Sequence, residues 1–162
     1  MKITIVDQDD NVIGAKSRDE LLVTDIYRVT SLWIENSKGE VLLAQRAFTK
    51  SHDPGKWGPA VAGTVEEGET YDSNIYKEAR EELGLEGLVF EKGIKKYSEG
   101  KWRYFVQQYL LTIDKPSKEF KIQKDEVAEV KWFSRQELKE LVNTRPDDFL
   151  NGVKRFASSI EV

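Results

Sequence analysis

The stretch that decides the fold runs from Gly63 to Leu85 and reads GTVEEGETYDSNIYKEAREELGL. Its second part places apolar and charged residues at helical spacing. Thr70 has the side chain of a good N-cap, and Gly84 is the residue type that most often ends a helix. The sequence therefore predicts a helix over residues 71–83, entered through a short acidic turn bounded by glycines.

Three glutamates share one face of this predicted helix. At about 100° per residue, Glu78, Glu81 and Glu82 fall within an arc of about 100°, beside an apolar arc that can pack. Like charges at this spacing repel each other by about 0.2–0.5 kcal/mol per pair. A bound divalent cation explains the cluster, and hard oxygen ligands favour Mg²⁺ or Mn²⁺ over zinc. The alternative is a solvated acidic face whose charges pair with Lys77 and Arg80.

Length and composition limit the function further. The chain has 162 residues, which suits one domain over residues 1–162, and its net charge is −4. An acidic chain without a basic cluster is a poor general binder of nucleic acid. With no cysteine and only one histidine, His52, the chain lacks thiol chemistry and sites with two histidines. Without a membrane span or signal peptide in the sequence, we expect a cytoplasmic protein.

Strand and helix patterns mix without strict alternation along the chain. Residues 1–16 predict a hairpin, which we expect to lie at the periphery and treat as a candidate surface for a homodimer. Five further strands and two further helices are predicted, at residues 27–34, 40–45, 88–97, 102–112 and 126–133 for the strands and 135–142 and 149–160 for the helices. A bent, glycine-interrupted strand is expected within residues 57–65. The fold class expected is α+β, an α/β/α sandwich with a mixed central sheet flanked by helices.

The acidic stretch resembles the Nudix hydrolase signature, G-x5-E-x7-R-E-U-x-E-E-x-G-U, in which U is a bulky apolar residue. The fixed positions are filled by Gly63, Glu69, Glu78, Glu81, Glu82 and Gly84, and the box covers residues 63–85. One position departs, because Lys77 stands where the family has arginine. Lysine keeps the charge but lacks the planar, bidentate fork of arginine.

The resemblance implies hydrolysis of a nucleoside diphosphate linked to another moiety, X, with Mg²⁺ or Mn²⁺ as cofactor. It implies that the metal ligands are Glu78, Glu81, Glu82 and the carbonyl of Gly63. Glu78, as general base, and Glu82 are the candidate catalytic residues. Glu69 is expected to pair with Lys77 and orient the site. The expected partner is a small phosphorylated substrate.

Several residues outside the box are weaker candidates. Glu126 precedes a late strand, where some family members place a second base, although an exposed carboxylate at the start of a strand is equally simple. Arg46 either meets substrate phosphate or forms a structural salt bridge. Trp57 is interpreted either as a platform for substrate or as a packing anchor. His52 is expected to be a surface residue.

Two other readings stay open from the sequence. The spacing of Arg46, Lys50 and Trp57 also resembles the isopentenyl-diphosphate isomerase branch of the same superfamily. That mechanism uses a cysteine and a histidine-rich metal site, which this chain lacks. The second is a Nudix-like module that binds nucleotides without turnover, which only Lys77 favours. The loops that would set specificity show no recognisable binding pattern, so the sequence does not identify X.

Overall fold

The structure, a computed structural model, describes residues 1–161. The nine strands are β1 (Lys2–Val6), β2 (Val12–Ser17), β3 (Ile26–Glu35), β4 (Val41–Arg46), β5 (Trp57–Pro59), β6 (Val61–Thr64), β7 (Glu91–Glu99), β8 (Arg103–Thr112) and β9 (Val127–Phe133). The three α-helices are α1 (Tyr71–Leu83), α2 (Arg135–Thr144) and α3 (Asn151–Ser158).

Strand β3 organises the mixed sheet. One edge of β3 pairs in parallel with β8 over its whole length, from Ile26 opposite Arg103 to Glu35 opposite Thr112. The other edge pairs successively with β1, β6 and β4, all antiparallel. β6 pairs with Val29–Leu32 and β4 with Ile34–Glu35, so the strand that begins the box, β6, lies directly beside the central strand.

The helices cover opposite faces of the sheet. On one face α1 packs against β3 and β4 through Ile75, Ala79 and Leu83, which are fully buried. On the other face, α2 and α3 pack against alternate residues of β4 through Leu138 and Val153. Each fully buried isoleucine, leucine or valine side chain among these contributes about 1.5–3 kcal/mol. The predicted α+β sandwich with a mixed sheet between helices is therefore confirmed.

Helix α1 occupies the predicted residues 71–83. Thr70 accepts a hydrogen bond from the backbone N–H of Ser73 through its side chain, and Gly84 adopts φ +68°, the left-handed conformation that favours glycine. These two caps fix where the helix begins and ends. They therefore also fix where the three glutamates lie along the helix.

The N-terminal hairpin forms as predicted but is not peripheral. Strands β1 and β2 pair antiparallel, and Ile5 and Val6 of β1 also pair with β3. Ile3 and Thr4 are buried, so β1 belongs to the sheet and the core. Only β2, with exposed Val12 at its start, lies at the outer edge. The expectation of a hairpin outside the core is wrong because an alternating apolar strand can complete an internal edge as readily as an external one.

The remaining elements follow the predictions with shifts of a few residues at their ends. Residues 17–24, which the sequence left ambiguous, contain a short 3₁₀ turn at Arg18–Glu20. The bent segment 57–65 divides into β5 and β6. None of the helices within residues 1–161 has the length and apolar character needed to cross a bilayer.

Candidate active site

Glu82 is a buried carboxylate at the centre of the site. Its side chain lies on the last turn of α1, and the residue is 9% exposed. Its Oε2 atom has no hydrogen-bond partner among the described residues. Burial, together with the charges of Glu78 and Glu126, raises the pKa of Glu82 to about 9, although Lys50 and Arg46 oppose the rise. A buried oxygen without a partner, among other carboxylates, is an electrostatic situation that a cation would relieve.

Glu78 is half-buried one turn earlier on α1. Burial raises its pKa to about 7, with Lys77 lowering it and Glu81 raising it. The neighbouring strand β6 approaches this side chain closely. A β-carbon at position 63 would lie 2.5 Å from Glu78 Cγ and 2.8 Å from Asn74 Oδ1, so only glycine fits there. The backbone of Gly63 is thereby brought next to the glutamates.

Lys77 holds three carboxylates together. Its Nζ lies 2.5 Å from Glu66 Oε2, 2.8 Å from Glu69 Oε2 and 3.6 Å from Glu78 Oε1. Burial lowers the pKa of Lys77, but the two nearest carboxylates raise it more, so the net shift is upward. The structure thus brings Glu69 and Lys77 into the contact that the sequence predicted, with Glu66 as an additional partner.

Glu81 lies differently from the other two glutamates, because its residue is exposed on the outer side of α1. Within residues 1–161, no three acidic or histidine side chains are already grouped as a complete metal shell. The donor set nevertheless fits a hard divalent cation: a carboxylate oxygen without a partner on Glu82, a second carboxylate on Glu78, and the backbone beside Gly63. The charge of Glu81 still acts on Glu78, so its side chain lies near the same centre.

A pair of basic residues faces this acidic centre. Arg46, at the end of β4, donates from Nε to the backbone carbonyl of His52 at 3.0 Å. Lys50 lies in the following loop and forms an ion pair of 2.5 Å with Glu126, just before β9. The charges of all three act on Glu82. The structure therefore brings the sequence candidates Arg46 and Glu126 to the same centre as the box.

The side chains of Trp57 and His52 make none of the contacts described for this centre. Trp57 packs edge-on against Phe133, with ring centroids 5.2 Å apart, and belongs to the core between the sheet and α3. This contact agrees with its interpretation as a packing anchor. His52 is exposed in the loop after β4, as expected of a surface residue.

The profile of the NUDIX domain family matches residues 26–152. The chain belongs to the Nudix family. The chain is 30% identical over 149 residues to an uncharacterized Nudix hydrolase of Yersinia pestis, a match that covers 91% of this chain and 78% of the relative. It is 27% identical to an isopentenyl-diphosphate Delta-isomerase of Photorhabdus laumondii over 98% of this chain and 91% of that protein.

A solved structure shows the same fold. DR0079 from Deinococcus radiodurans superposes with a TM-score of 0.83 at 22% identity, and the match covers 98% of both chains. This likeness concerns the Nudix fold, including the strands before residue 26. Together with the family match, it confirms the resemblance seen in the box, and the chain is a Nudix-type hydrolase. Nudix hydrolases generally cleave pyrophosphate bonds in small phosphorylated substrates with a divalent metal cation.

The contacts of three residues of this candidate site were missed by the sequence reasoning. Asn74 is fully buried, accepts from the hydroxyl of Thr30 and donates to the side chain of Glu69. At helical spacing Asn74 falls on the same arc of α1 as the three glutamates, and that position is a signal that could have identified it. Glu66 and Lys50 carried no such signal, because their partners are distant in sequence or lie on another element.

Proposed function

We propose that this Nudix domain, residues 1–162, hydrolyses a pyrophosphate bond in a nucleoside diphosphate linked to a moiety X, using Mg²⁺ or Mn²⁺. The observation that carries the proposal is the pair Glu78 and Glu82, two carboxylates withdrawn from water with upward-shifted pKa values and one oxygen without a partner. When ionised, carboxylates kept in such a place destabilise the fold unless a cation compensates their charge. Their position in the box of an established hydrolase family supports the same assignment.

We assign the cation to Glu78, Glu82 and the Gly63 carbonyl, with Glu81 as a further ligand. When bound, the cation supplies Lewis-acid polarisation of phosphoryl oxygens and neutralises part of their charge. Both functions matter for a pyrophosphate, whose reacting oxygens carry several negative charges. Glu78 is a half-buried carboxylate beside the assigned cation, which places it to accept a proton from a water molecule there.

The proposed reaction is the hydrolysis of the bond between one phosphorus and the bridging oxygen of a pyrophosphate. Water loses a proton to a carboxylate, and its oxygen forms a bond to one phosphorus. The bond between that phosphorus and the bridging oxygen breaks, and the bridging oxygen leaves with the other phosphate. Glu78 is our candidate for the proton acceptor, and Glu126 is a second candidate because its charge acts on the same centre. Arg46 and Lys50 would face the anionic substrate from the opposite side.

A substrate panel with matched variants tests the proposal. Nucleoside diphosphate derivatives and dinucleoside polyphosphates are incubated with Mg²⁺ or Mn²⁺, with and without chelator, and released phosphate or nucleoside monophosphate is measured. Glu81→Gln and Glu82→Gln should each lower kcat by on the order of 100-fold or more, since outer partners of a metal alone cost 10–100-fold. Glu86→Gln is the control, because Glu86 is exposed just beyond α1. Full activity in both site variants would refute the metal assignment.

Isomerisation of an alkenyl diphosphate is the second enzymatic candidate, and the match to an isopentenyl-diphosphate Delta-isomerase is the observation that favours it. The chain has no cysteine, and its one histidine is exposed in a loop. The groups that this chemistry uses are therefore missing, and we retain hydrolysis. Turnover of isopentenyl diphosphate by the wild-type protein would reverse the choice.

A binding module without turnover is the remaining alternative. Lys77 in place of arginine is compatible with it, but the presence of Glu78 and Glu82 favours an enzyme.

Two further proposals concern location and oligomeric state. We propose a cytoplasmic location, supported by the lack of cysteine, and a homodimer formed through the exposed edge of β2. Sedimentation of the purified protein tests the second of these.

A further inference from the structure

Lys77 stands where the Nudix signature has arginine, and its ammonium has carboxylate partners in addition to Glu78. An arginine can hold a carboxylate with two parallel N–H groups, whereas a lysine ammonium is a compact charge on a flexible stem. Here the ammonium is fixed from two further sides. Glu69 contacts it at 2.8 Å and Glu66 contacts it at 2.5 Å, and both carboxylates belong to the turn before α1.

The position of Glu66 is set by a strand that lies outside the matched family region. Thr4 of β1 donates from its hydroxyl to the carbonyl of Glu66 at 2.9 Å, and its backbone N–H donates to the carbonyl of Val65 at 3.1 Å. The N–H of Glu67 donates in turn to the carbonyl of Lys2 at 2.9 Å. Both Ile3 and Thr4 are buried, so this attachment is shielded from water. Residues 2–4 precede the family match, which begins at residue 26.

We propose that β1 and Glu66 act as a positioning device for Lys77, and through Lys77 for Glu78. The inference rests on the proposed function, since Glu78 is assigned there as metal ligand and base. The charge of Lys77 lies 3.6 Å from Glu78 Oε1, close enough to hold that carboxylate in place but too far to neutralise it fully. Without Glu66, the ammonium can move towards Glu78 and compete with the cation for its oxygens. Glu66 is thus a positioning residue and need not touch substrate.

Glu66→Gln tests this role, and Glu67→Gln is its matched control. Glu67 is the next residue of the same turn, is exposed and bears the same charge. We measure Mn²⁺ affinity by calorimetry and kcat and KM separately. Glu66→Gln should weaken Mn²⁺ binding and lower kcat by about 10-fold, the lower end for residues that orient metal ligands, and leave KM unchanged. Glu67→Gln should match the wild type in all three quantities.

A rescue experiment separates positioning from general stabilisation. In a Lys77→Arg background the fork of arginine can orient itself on Glu69, so Glu66→Gln should then change Mn²⁺ affinity and kcat by less than about 2-fold. Thr4→Val removes the hydroxyl that holds the carbonyl of Glu66 and should act in the same direction as Glu66→Gln. Glu66→Asp, which keeps the charge, is the replacement if the glutamine variant does not fold, as judged by circular dichroism.

The outcomes distinguish this inference from the function on which it rests. If the wild type neither binds Mn²⁺ nor hydrolyses a pyrophosphate, the proposed function fails and the positioning role fails with it. If the wild type does both and Glu66→Gln behaves like Glu67→Gln, only the positioning role is overturned. An equally large loss in the Lys77→Arg background would also overturn it, because the defect would then not depend on the lysine.

Discussion

The backbone of Gly63 and the side chain of Glu78 lie so close together that a β-carbon at position 63 would come within 2.5 Å of Glu78 Cγ. The contact joins strand β6 to helix α1 at the level of the acidic centre. It makes position 63 sensitive to a single methyl group, although Gly63 has no unusual backbone conformation.

Gly63→Ala should therefore displace Glu78 and lower metal-dependent turnover by roughly 10–100-fold, as for other changes that misplace a metal ligand. The methyl would also lie 2.8 Å from Oδ1 of the buried Asn74, so a lower Tm is expected beside the loss of turnover. Gly14→Ala is the control, since a β-carbon at Gly14 in β2 meets no atom within 4 Å. Steady-state kinetics with Mn²⁺ and thermal unfolding of both variants check the expectation. Equal activity of the two variants would mean that Glu78 tolerates displacement.

The buried Glu82 predicts an unusual dependence of stability on pH. Its pKa is about 9 in the folded chain and near the ordinary 4.5 in the unfolded chain, so the folded state retains a proton that the unfolded state releases. The stability that this group contributes is complete below pH 4.5 and is lost as the pH rises through about 9. In chelator, the Tm of the wild type should fall over this window more steeply than the Tm of Glu82→Gln. Parallel curves for the two proteins would contradict the assigned shift.

Glu126 and Lys50 can be separated by their different effects on kinetics. If Glu126 is a second base, Glu126→Gln should lower kcat by about 100-fold, the lower end of the range for general acid–base groups. Lys50→Met breaks the same ion pair but keeps the carboxylate, so it should mainly raise KM. If both variants give the same modest loss in kcat, Glu126 is only a partner of Lys50.

The contacts of Asp10 predict that acid destabilises the fold. Its carboxylate is almost fully buried and accepts from Arg28 and Lys95, both at 2.7 Å, and from the hydroxyl of Tyr71. Burial raises the pKa of Asp10, but these partners lower it more, so the net shift is downward. The resulting stability is present above the ordinary aspartate pKa and is lost as the pH falls below it.

Asp10→Asn should destabilise the fold by roughly 1–3 kcal/mol, the cost of leaving buried donors without their acceptor charge. Asn tolerates the positive φ of 64° at this position, so the backbone contributes little to that cost. Asp9→Asn, an exposed neighbour in the same turn, should change the free energy of unfolding by no more than about 0.5 kcal/mol. Urea unfolding at neutral pH measures both, and equal values would show that the contacts of Asp10 are not stabilising.

Local signals in the sequence predicted the elements well but not all of their relationships. Helix α1 could be placed because Thr70 and Gly84 mark its ends, and the box glutamates could be placed because helical spacing is regular. The role of Glu66 could not be predicted, because it depends on Thr4, which lies 62 residues away in sequence. The same reason explains why β1 was expected at the periphery. An alternating strand pattern states which face is buried but not which neighbour covers its edge.

The parallel pairing of β3 with β8 has a consequence for how the chain reaches its native state. Strand β3 begins at Ile26, and β8 begins at Arg103. During synthesis, β8 therefore appears only after the whole Nudix box. A nascent chain therefore carries the complete helix α1 while one side of its central strand is still open. We expect refolding to be slow for a chain of this size, since distant segments must meet before the sheet gains its longest ladder.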